Sequence, residues 1–378
     1  MKISLSRISL TKRHALTISR GTSQGSENLI VQVEHEGVTG LGEMAPSSGG
    51  ATPDTAATAT RFLETLQDAC ETLTPWDMQQ WEQIWSADPG GSTGACAALD
   101  MALHDWMGKR LNVPVWRLFG LNRARIAPTS VTLGINPPEI IREILPEILA
   151  RTRAISLKVK LGNPQGIAAD QAMFAAAQEV CTGRITWRVD ANGGWTVEDA
   201  RKMIPWLAAR DVEFVEQPLP RGQESDLPAV HRDSPLPIYV DESVYRASDI
   251  PPLAPHIDGV NLKLMKCGGL REAIRIIHTA RACNLKLMIG CMSESALSIT
   301  AAAQISPLVD SLDLDSHLNL TNDPFMGAAW QDGRVVPNDL PGLGVVYKEP
   351  EDISGSLSDE GKDMSGTIRD PRDRLAYP

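Results

Sequence analysis

Between residues 126 and 315 the apolar positions gather into short runs separated by amphipathic stretches. The runs at 127–134, 155–161, 185–190, 212–216, 237–241, 258–263, 285–291 and 310–315 are β-prone, too short for helices, and end at turn residues, so each predicts a strand. The stretches 137–151, 165–180, 196–209, 268–283 and 294–304 repeat apolar residues at helical spacing and predict helices between them. Regular alternation of strand and helix implies parallel strands joined by right-handed crossovers, and eight such strands in about 190 residues match a closed β/α barrel. An open doubly wound sheet is the competing architecture, although no GxGxxG fingerprint follows the first strand.

The flanks have a different rhythm. Leu29–Glu34 and Val38–Glu43 alternate apolar and polar positions around His35-Glu36-Gly37, which predicts a hairpin. Ser19–Ser26, polar and containing glycine, reads as a loop connecting the first strand to it. From Pro53 to Gly120 the spacing turns helical, and Gly94–Trp106 has the small residues of a tightly packed helix. The expected organisation is an α+β module over 1–122, the barrel over 123–320, a return to the first module over 321–348 through a short strand at Gly342-Leu343-Gly344-Val345, and a charged tail over 349–378.

A chain of 378 residues with 42% hydrophobic content supports a large core. Its net charge of -11 excludes nucleic acid and anionic membranes as expected partners. The six cysteines form no CxxC pair, so buried reduced thiols are expected. Met1–Leu5 leads into alternating residues rather than an apolar signal core, and no apolar run reaches membrane-spanning length, so the cytoplasm is the expected location.

Three of the predicted strands end on carboxylates, Asp190, Glu216 and Asp241, one repeat apart. Parallel strands bring such ends to one face, where like charges repel unless a cation holds them. An all-oxygen set suits a hard divalent ion, Mg²⁺ before Ca²⁺ or Zn²⁺. The second strand ends Leu157-Lys158-Val159-Lys160, the sixth carries Asn261-Leu262-Lys263, and the eighth ends Asp313-Leu314-Asp315. Strands two and six lie across an eight-stranded ring, so two amines face a bound substrate from opposite sides, a geometry suited to taking a proton from one face of a carbon and delivering one to the other. Neighbouring cations are expected to lower the lysine pKa values, and a metal chelating a substrate carboxylate would stabilise the enolate formed when the α-proton leaves.

Lys158-Val159-Lys160, the Asp190/Glu216/Asp241 series, Asn261-Leu262-Lys263 and Lys266-Cys267-Gly268-Gly269-Leu270, with Gly40-Leu41-Gly42-Glu43 and the alanine-rich helix, resemble the enolase superfamily and within it the muconate-lactonizing-enzyme subgroup. The resemblance runs from residue 2 to 346 and implies a modified TIM barrel, (β/α)7β, with an α+β capping domain. It implies one Mg²⁺ held by Asp190, Glu216 and Asp241, with Lys160 and Lys263 as opposed acid/base groups. It implies further that Lys158 holds the substrate carboxylate and lowers the Lys160 pKa, that Lys266 gives electrostatic support, and that Asn192 orients the ligand shell.

Asp313-Leu314-Asp315 is similar to the dipeptide epimerases, which hold a substrate's α-ammonium with such a pair. The implied reaction inverts the α-carbon of the C-terminal residue of an L,L-dipeptide. Met292 and Ser293 fall where family members contact the peptide, and Arg20 where Ala-Glu epimerases carry an arginine for a substrate carboxylate. Ser23, Gln24 and Glu27 are equally available in that loop. Cycloisomerase, o-succinylbenzoate synthase and N-acylamino acid racemase reactions stay open within the subgroup, and a non-catalytic binding protein is the reading from another class. The expected partners are a small-molecule dipeptide and further copies of the chain in a homo-oligomer.

Overall fold

In the computed structural model, which describes residues 1–47, 53–87 and 91–348, the chain opens with an antiparallel meander of β1 (Lys2–Ile18), β2 (Gly21–His35) and β3 (Val38–Met44). The central strand β2 is covered on both faces. Leu29, Val31 and Val33 pack into a core with α1 (Ala56–Glu64), α2 (Gln67–Thr72), α3 (Met78–Ser86) and α4 (Thr93–Leu111), whereas Ile30 joins the larger core that continues into the barrel. Such two-sided burial follows from the period of two along a strand.

Residues 19–26 are not the connecting loop that their composition predicts. Ser19 and Arg20 make a tight turn, and residues 21–26 run back along β1 with Thr17 paired to Thr22 and Leu10 to Ser26. Backbone pairing to β1 supplies the strand here, so the side chains need no apolar pattern.

Gly40 and Gly42 in β3 have a steric reason. A Cβ at Gly42 would lie 1.9 Å from the Ala98 carbonyl oxygen and one at Gly40 2.0 Å from that of Ala102, so β3 and the alanine-rich α4 approach backbone to backbone. Two carboxylates buried in α4 tie other segments to it. Asp105 accepts from the amides of Leu41 (2.8 Å) and Leu343 (2.7 Å), and Asp100 from that of Leu270 (2.6 Å).

After α5 (Val115–Leu118) come β4 (Val131–Leu133), β5 (Ser156–Lys160), β6 (Thr186–Asp190), β7 (Val212–Glu216), β8 (Ile238–Val240), β9 (Gly259–Leu262), β10 (Lys286–Ile289) and β11 (Ser311–Leu312). Each lies inside one of the eight predicted runs, and they form one parallel sheet in chain order. The sheet closes where the Ser130 amide donates to the Leu312 carbonyl at 2.9 Å. The connecting helices are α6 (Pro138–Thr152), α7 (Ile167–Val180), α8 (Val197–Ala208), α9 (Leu227–His231), α10 (Ile250–Leu253), α11 (Leu264–Cys267), α12 (Leu270–Ala282) and α13 (Ala296–Ile305).

The return strand expected at 342–345 is displaced. Gly342 makes a single parallel bridge to Pro114, its amide donating to the Val113 carbonyl (3.0 Å) and its carbonyl accepting from the Val115 amide (2.9 Å), but Gly342 and Gly344 have φ of +72° and +75° and the pairing does not extend; the strand forms at Val346–Tyr347 against Phe325–Met326. The expected tail over 349–378 lies outside the described residues. All six cysteines are free thiols. Among the described residues no helix is long and apolar enough to cross a membrane.

Candidate active site

Asp190 and Glu216 are the last residues of β6 and β7 and stand opposite each other in the ladder; Asp241 follows the last residue of β8. Each offers an oxygen, all within 4.8 Å of one another, and all three side chains are buried. The loops after the strands hold them in place. Asn192, at φ +46°, donates from its amide to Asp190 Oδ1 (2.7 Å) and from Nδ2 to Oδ2 (2.9 Å). Gln217 Oε1 accepts from the Asp241 amide at 2.8 Å, and Asn261 Nδ2 donates to Glu216 Oε1 at 2.6 Å.

Both Asp241 carboxylate oxygens lack a hydrogen bond of good geometry, although the ammonium groups of Lys263 (2.7 Å) and Lys266 (2.6 Å) stand beside them. Three convergent buried carboxylates fit a hard divalent cation with oxygen ligands.

Lys160 ends β5 and Lys263 follows β9, four strands away in the sheet. Lys160 Nζ lies 2.6 Å from Asp190 Oδ2, and both lysines line one cavity of about 480 Å³ with Asp241, Asp313 and Asp315. Gly290 makes room for Lys263: a Cβ there would come within 3.1 Å of its Cε. Lys266 donates to the carbonyls of Val244 (3.0 Å) and Asn261 (3.1 Å) and to that of Asp241, stitching the ends of β8 and β9 together.

Lys158 is fully buried beneath this wall. Its ammonium meets Asp313 and Glu216 Oε2 (3.1 Å) and lies 3.9 Å from Asp190. Burial works against charging Lys158, but Asp313, Glu216 and Asp190 outweigh it and hold its pKa well above the ordinary value. Lys263 is likewise raised, with Asp241 overcoming burial. Both rise because each pairs with buried carboxylates, Lys158 with Asp313 and Glu216 and Lys263 with Asp241.

The carboxylates respond to the same field. Burial would raise Asp241, but Lys263 and Lys266 hold it far below the usual range. Glu216 is pushed up to about 8 by burial and by the Asp190 charge, against the pull of Lys158. Asp313 is lowered by Lys158 despite burial, and Asp315 rises to about 6 through burial and the neighbouring Asp313 charge.

Asp313 and Asp315 both reach the cavity wall from the end of β11. Asp315 Oδ2 also accepts from the Thr132 amide at 2.6 Å, which fixes its direction. Met292 lines the cavity, and the Ser293 carbonyl accepts from Asn28 Nδ2 at 2.9 Å, tying the β1–β2 hairpin to the loop after β10.

In the hairpin, Arg20 Nη1 donates to the Asn192 carbonyl (2.8 Å) and Nη2 pairs with Glu242 Oε1 (2.8 Å). Ser23 lines the cavity and accepts from Lys12 Nζ at 2.9 Å. Glu27 points to the outer face, where it pairs with Arg7 at 3.3 Å, and Gln24 is exposed. Strand alternation decides this: Ser26 and Asn28 face Ser293, so Glu27 between them cannot.

Sequence reasoning did not single out Glu242, Thr132 or the buried Asn28–Glu43–Ser295 network. Glu242 directly follows a predicted ligand, which was its one available signal; the other partners are distant in sequence.

Two family models cover the chain: "Mandelate racemase / muconate lactonizing enzyme, N-terminal domain" over residues 3–120 and "Enolase C-terminal domain-like" over 144–351. A hydrophobic dipeptide epimerase of Roseobacter litoralis is 50% identical over 348 residues, covering 92% of this chain and 99% of the relative. Another, from a Flavobacteria bacterium, is 46% identical, with coverage of 92% and 99%. The crystal structure of an Enterococcus faecalis dipeptide epimerase complexed with Mg and L-Leu-L-Tyr superposes with a TM-score of 0.84 at 30% identity, covering 92% of this chain and 99% of that one. Triad, lysine pair, barrel and these matches agree, and the chain belongs to the enolase superfamily, in its mandelate racemase and muconate-lactonizing-enzyme group.

Proposed function

We propose that the protein is a Mg²⁺-dependent dipeptide epimerase that inverts the α-carbon of the C-terminal residue of dipeptides with apolar side chains. The observation that carries this reading is the placement of Lys160 and Lys263 at the ends of strands four apart, both lining one cavity beside the carboxylate triad. A base on one face and an acid on the other of the same carbon is the arrangement that a 1,1-proton transfer needs.

Asp190, Glu216 and Asp241 are the residues that would hold the ion. When bound, it supplies Lewis-acid charge next to the substrate carboxylate, which makes the adjacent α-proton more acidic. One lysine takes the α-proton as a free amine, and the opposite one, as ammonium, gives a proton to the other face. The reverse assignment of the two returns the first epimer, so neither lysine is dedicated to one role. Lys158 and Lys266 keep the carboxylates in register with their ammonium groups. Asn192 aims Asp190.

Asp313 and Asp315 receive the substrate's α-ammonium, which lactones, succinylbenzoate and N-acyl amino acids lack. Leu16, Ile18, Val131, Leu133 and Met292 on the cavity wall favour apolar side chains, as do the names of the two relatives near half identity. The module over residues 1–122 acts as the cap, since its hairpin turn reaches Asn192 and Glu242.

Incubation with L-Ala-L-Xaa libraries in D₂O containing Mg²⁺ tests the reading. Apolar dipeptides should gain one mass unit and a second diastereomer. Absence of exchange from every dipeptide would overturn it.

A further inference from the structure

Lys160 and Lys263 are braced differently at the ends of their strands. Lys263 is followed at once by α11, and its carbonyl accepts from the amides of Lys266 (3.0 Å) and Cys267 (3.1 Å). Lys160 opens onto a turn. The ladder between β4 and β5 stops at Leu133 and Val159, so Lys160 is paired on one side only, opposite Asp190. Beyond it Leu161 still donates to the Asp190 carbonyl (2.8 Å), and Gly162 then turns the chain at φ +83°. A cavity of about 470 Å³ borders the turn at Gly162 and Pro164, so space rather than packing lies on that side.

One side chain takes up the amides of this turn. Asp170, in the first turn of α7 and 1% exposed, accepts from the Asn163 amide with Oδ1 (2.9 Å) and from the Gly162 amide with Oδ2 (3.0 Å). Its Oδ2 also accepts from Trp195 Nε1 (3.0 Å), in the loop after β6. The two loops meet there: a Cβ on Gly162 would lie 2.4 Å from the Ala191 carbonyl oxygen, and one on Gly194 2.6 Å from the Gly162 Cα. Charge-assisted bonds to a buried carboxylate are strong and directional, because water does not compete for them. We propose that Asp170 is a positioning residue for Lys160: by holding the Gly162–Asn163 turn it fixes where β5 ends, and with it the reach of the Lys160 amine to its own face of the substrate α-carbon.

The inference rests on the two-lysine reading above and deepens it. A residue that only stabilises the fold affects both faces alike, whereas one that acts through Lys160 affects the epimer whose α-proton faces that lysine. Displacing a reacting group by about 1 Å can cost on the order of 10² in rate.

The test follows α-proton exchange of L-Ala-L-Leu and L-Ala-D-Leu separately in D₂O, with the Mg²⁺-loaded full chain. K160M identifies the epimer that depends on Lys160. D170N keeps the shape but sets an N–H against the donors of the turn, and D170S withdraws the carboxylate. In both, exchange of the Lys160-dependent epimer should fall by about 10–100-fold, in kcat with KM within about twofold, while the other epimer stays within about twofold of the wild type. W195F removes one donor and leaves the turn amides bonded, so both epimers should exchange within about twofold of the wild type. Asp190 is paired on both sides, to Lys160 and Glu216, so Mg²⁺ calorimetry on D170N should match the wild type.

Parallel loss of both epimers in the Asp170 variants, wild-type rates for both, or selective loss of the epimer that depends on Lys263 would each overturn the proposal. So would a weakened Mg²⁺ affinity, which would assign the effect to Asp190, or failure of both variants to fold, which would make Asp170 a residue of the fold alone. A wild type that exchanges neither epimer would instead count against the epimerase reading itself.

Discussion

Loading the triad with Mg²⁺ should expel a proton from Glu216. This carboxyl is pushed up to about 8, by burial first and then by the Asp190 charge, with Lys158 opposing. A carboxyl with that pKa is about 0.9 protonated at pH 7, about 0.5 at pH 8 and about 0.1 at pH 9. Ligation needs the carboxylate, so those fractions are the protons released per ion bound. Proton competition weakens the apparent affinity at pH 7 by about tenfold relative to pH well above 8.

The sign follows from which state holds the proton. The ion-free fold binds it, so affinity rises with pH up to about 8 and then levels. For the same reason the ion-free protein loses stability as pH rises from the ordinary carboxyl range to about 8, because the unfolded chain has already released that proton. Calorimetry at pH 7 in two non-chelating buffers of different ionisation enthalpy yields the proton count, and a pH series from 7 to 9 yields the affinity. A count near zero with flat affinity across that range would refute the reasoning, since Glu216 would then be ionised before the ion binds.

Three other outcomes follow from the geometry. K160M and K263M should each lower epimerisation by about 10²–10⁴, while each still exchanges the α-proton of one substrate epimer and not the other in D₂O; equal exchange of both epimers by both variants would remove the two-face arrangement. Asp315, raised to about 6 by burial and by Asp313, must ionise to hold an ammonium, so kcat/KM for dipeptides should fall below pH 6 and D315N should raise KM and abolish that limb; the same limb in D315N would assign it to another group. G42A should destabilise the fold by about 1–3 kcal/mol in urea denaturation, because its Cβ would sit 1.9 Å from the Ala98 carbonyl oxygen, while G183A, with open space around it, should match the wild type.

The sequence by itself determined the barrel and the ends of its strands. All eight apolar runs became the parallel strands, and Asp190, Glu216 and Asp241 converged because side-chain register and strand direction are local properties that hydrophobic period records. Gly40 and Gly42 were legible as a motif, but their reason, the backbone of α4 against β3, needed the packing.

The structure alone decided what the polar residues do with one another. Residues 21–26 have loop composition yet form a strand, since pairing with β1 replaces side-chain pattern. Lys158 is buried against Glu216 and Asp313, and Arg20 meets Glu242 across more than 200 residues of chain. Ion pairing depends on distance in space and on burial, neither of which a single sequence writes down, whereas strand, helix and strand end are written in every few residues of it.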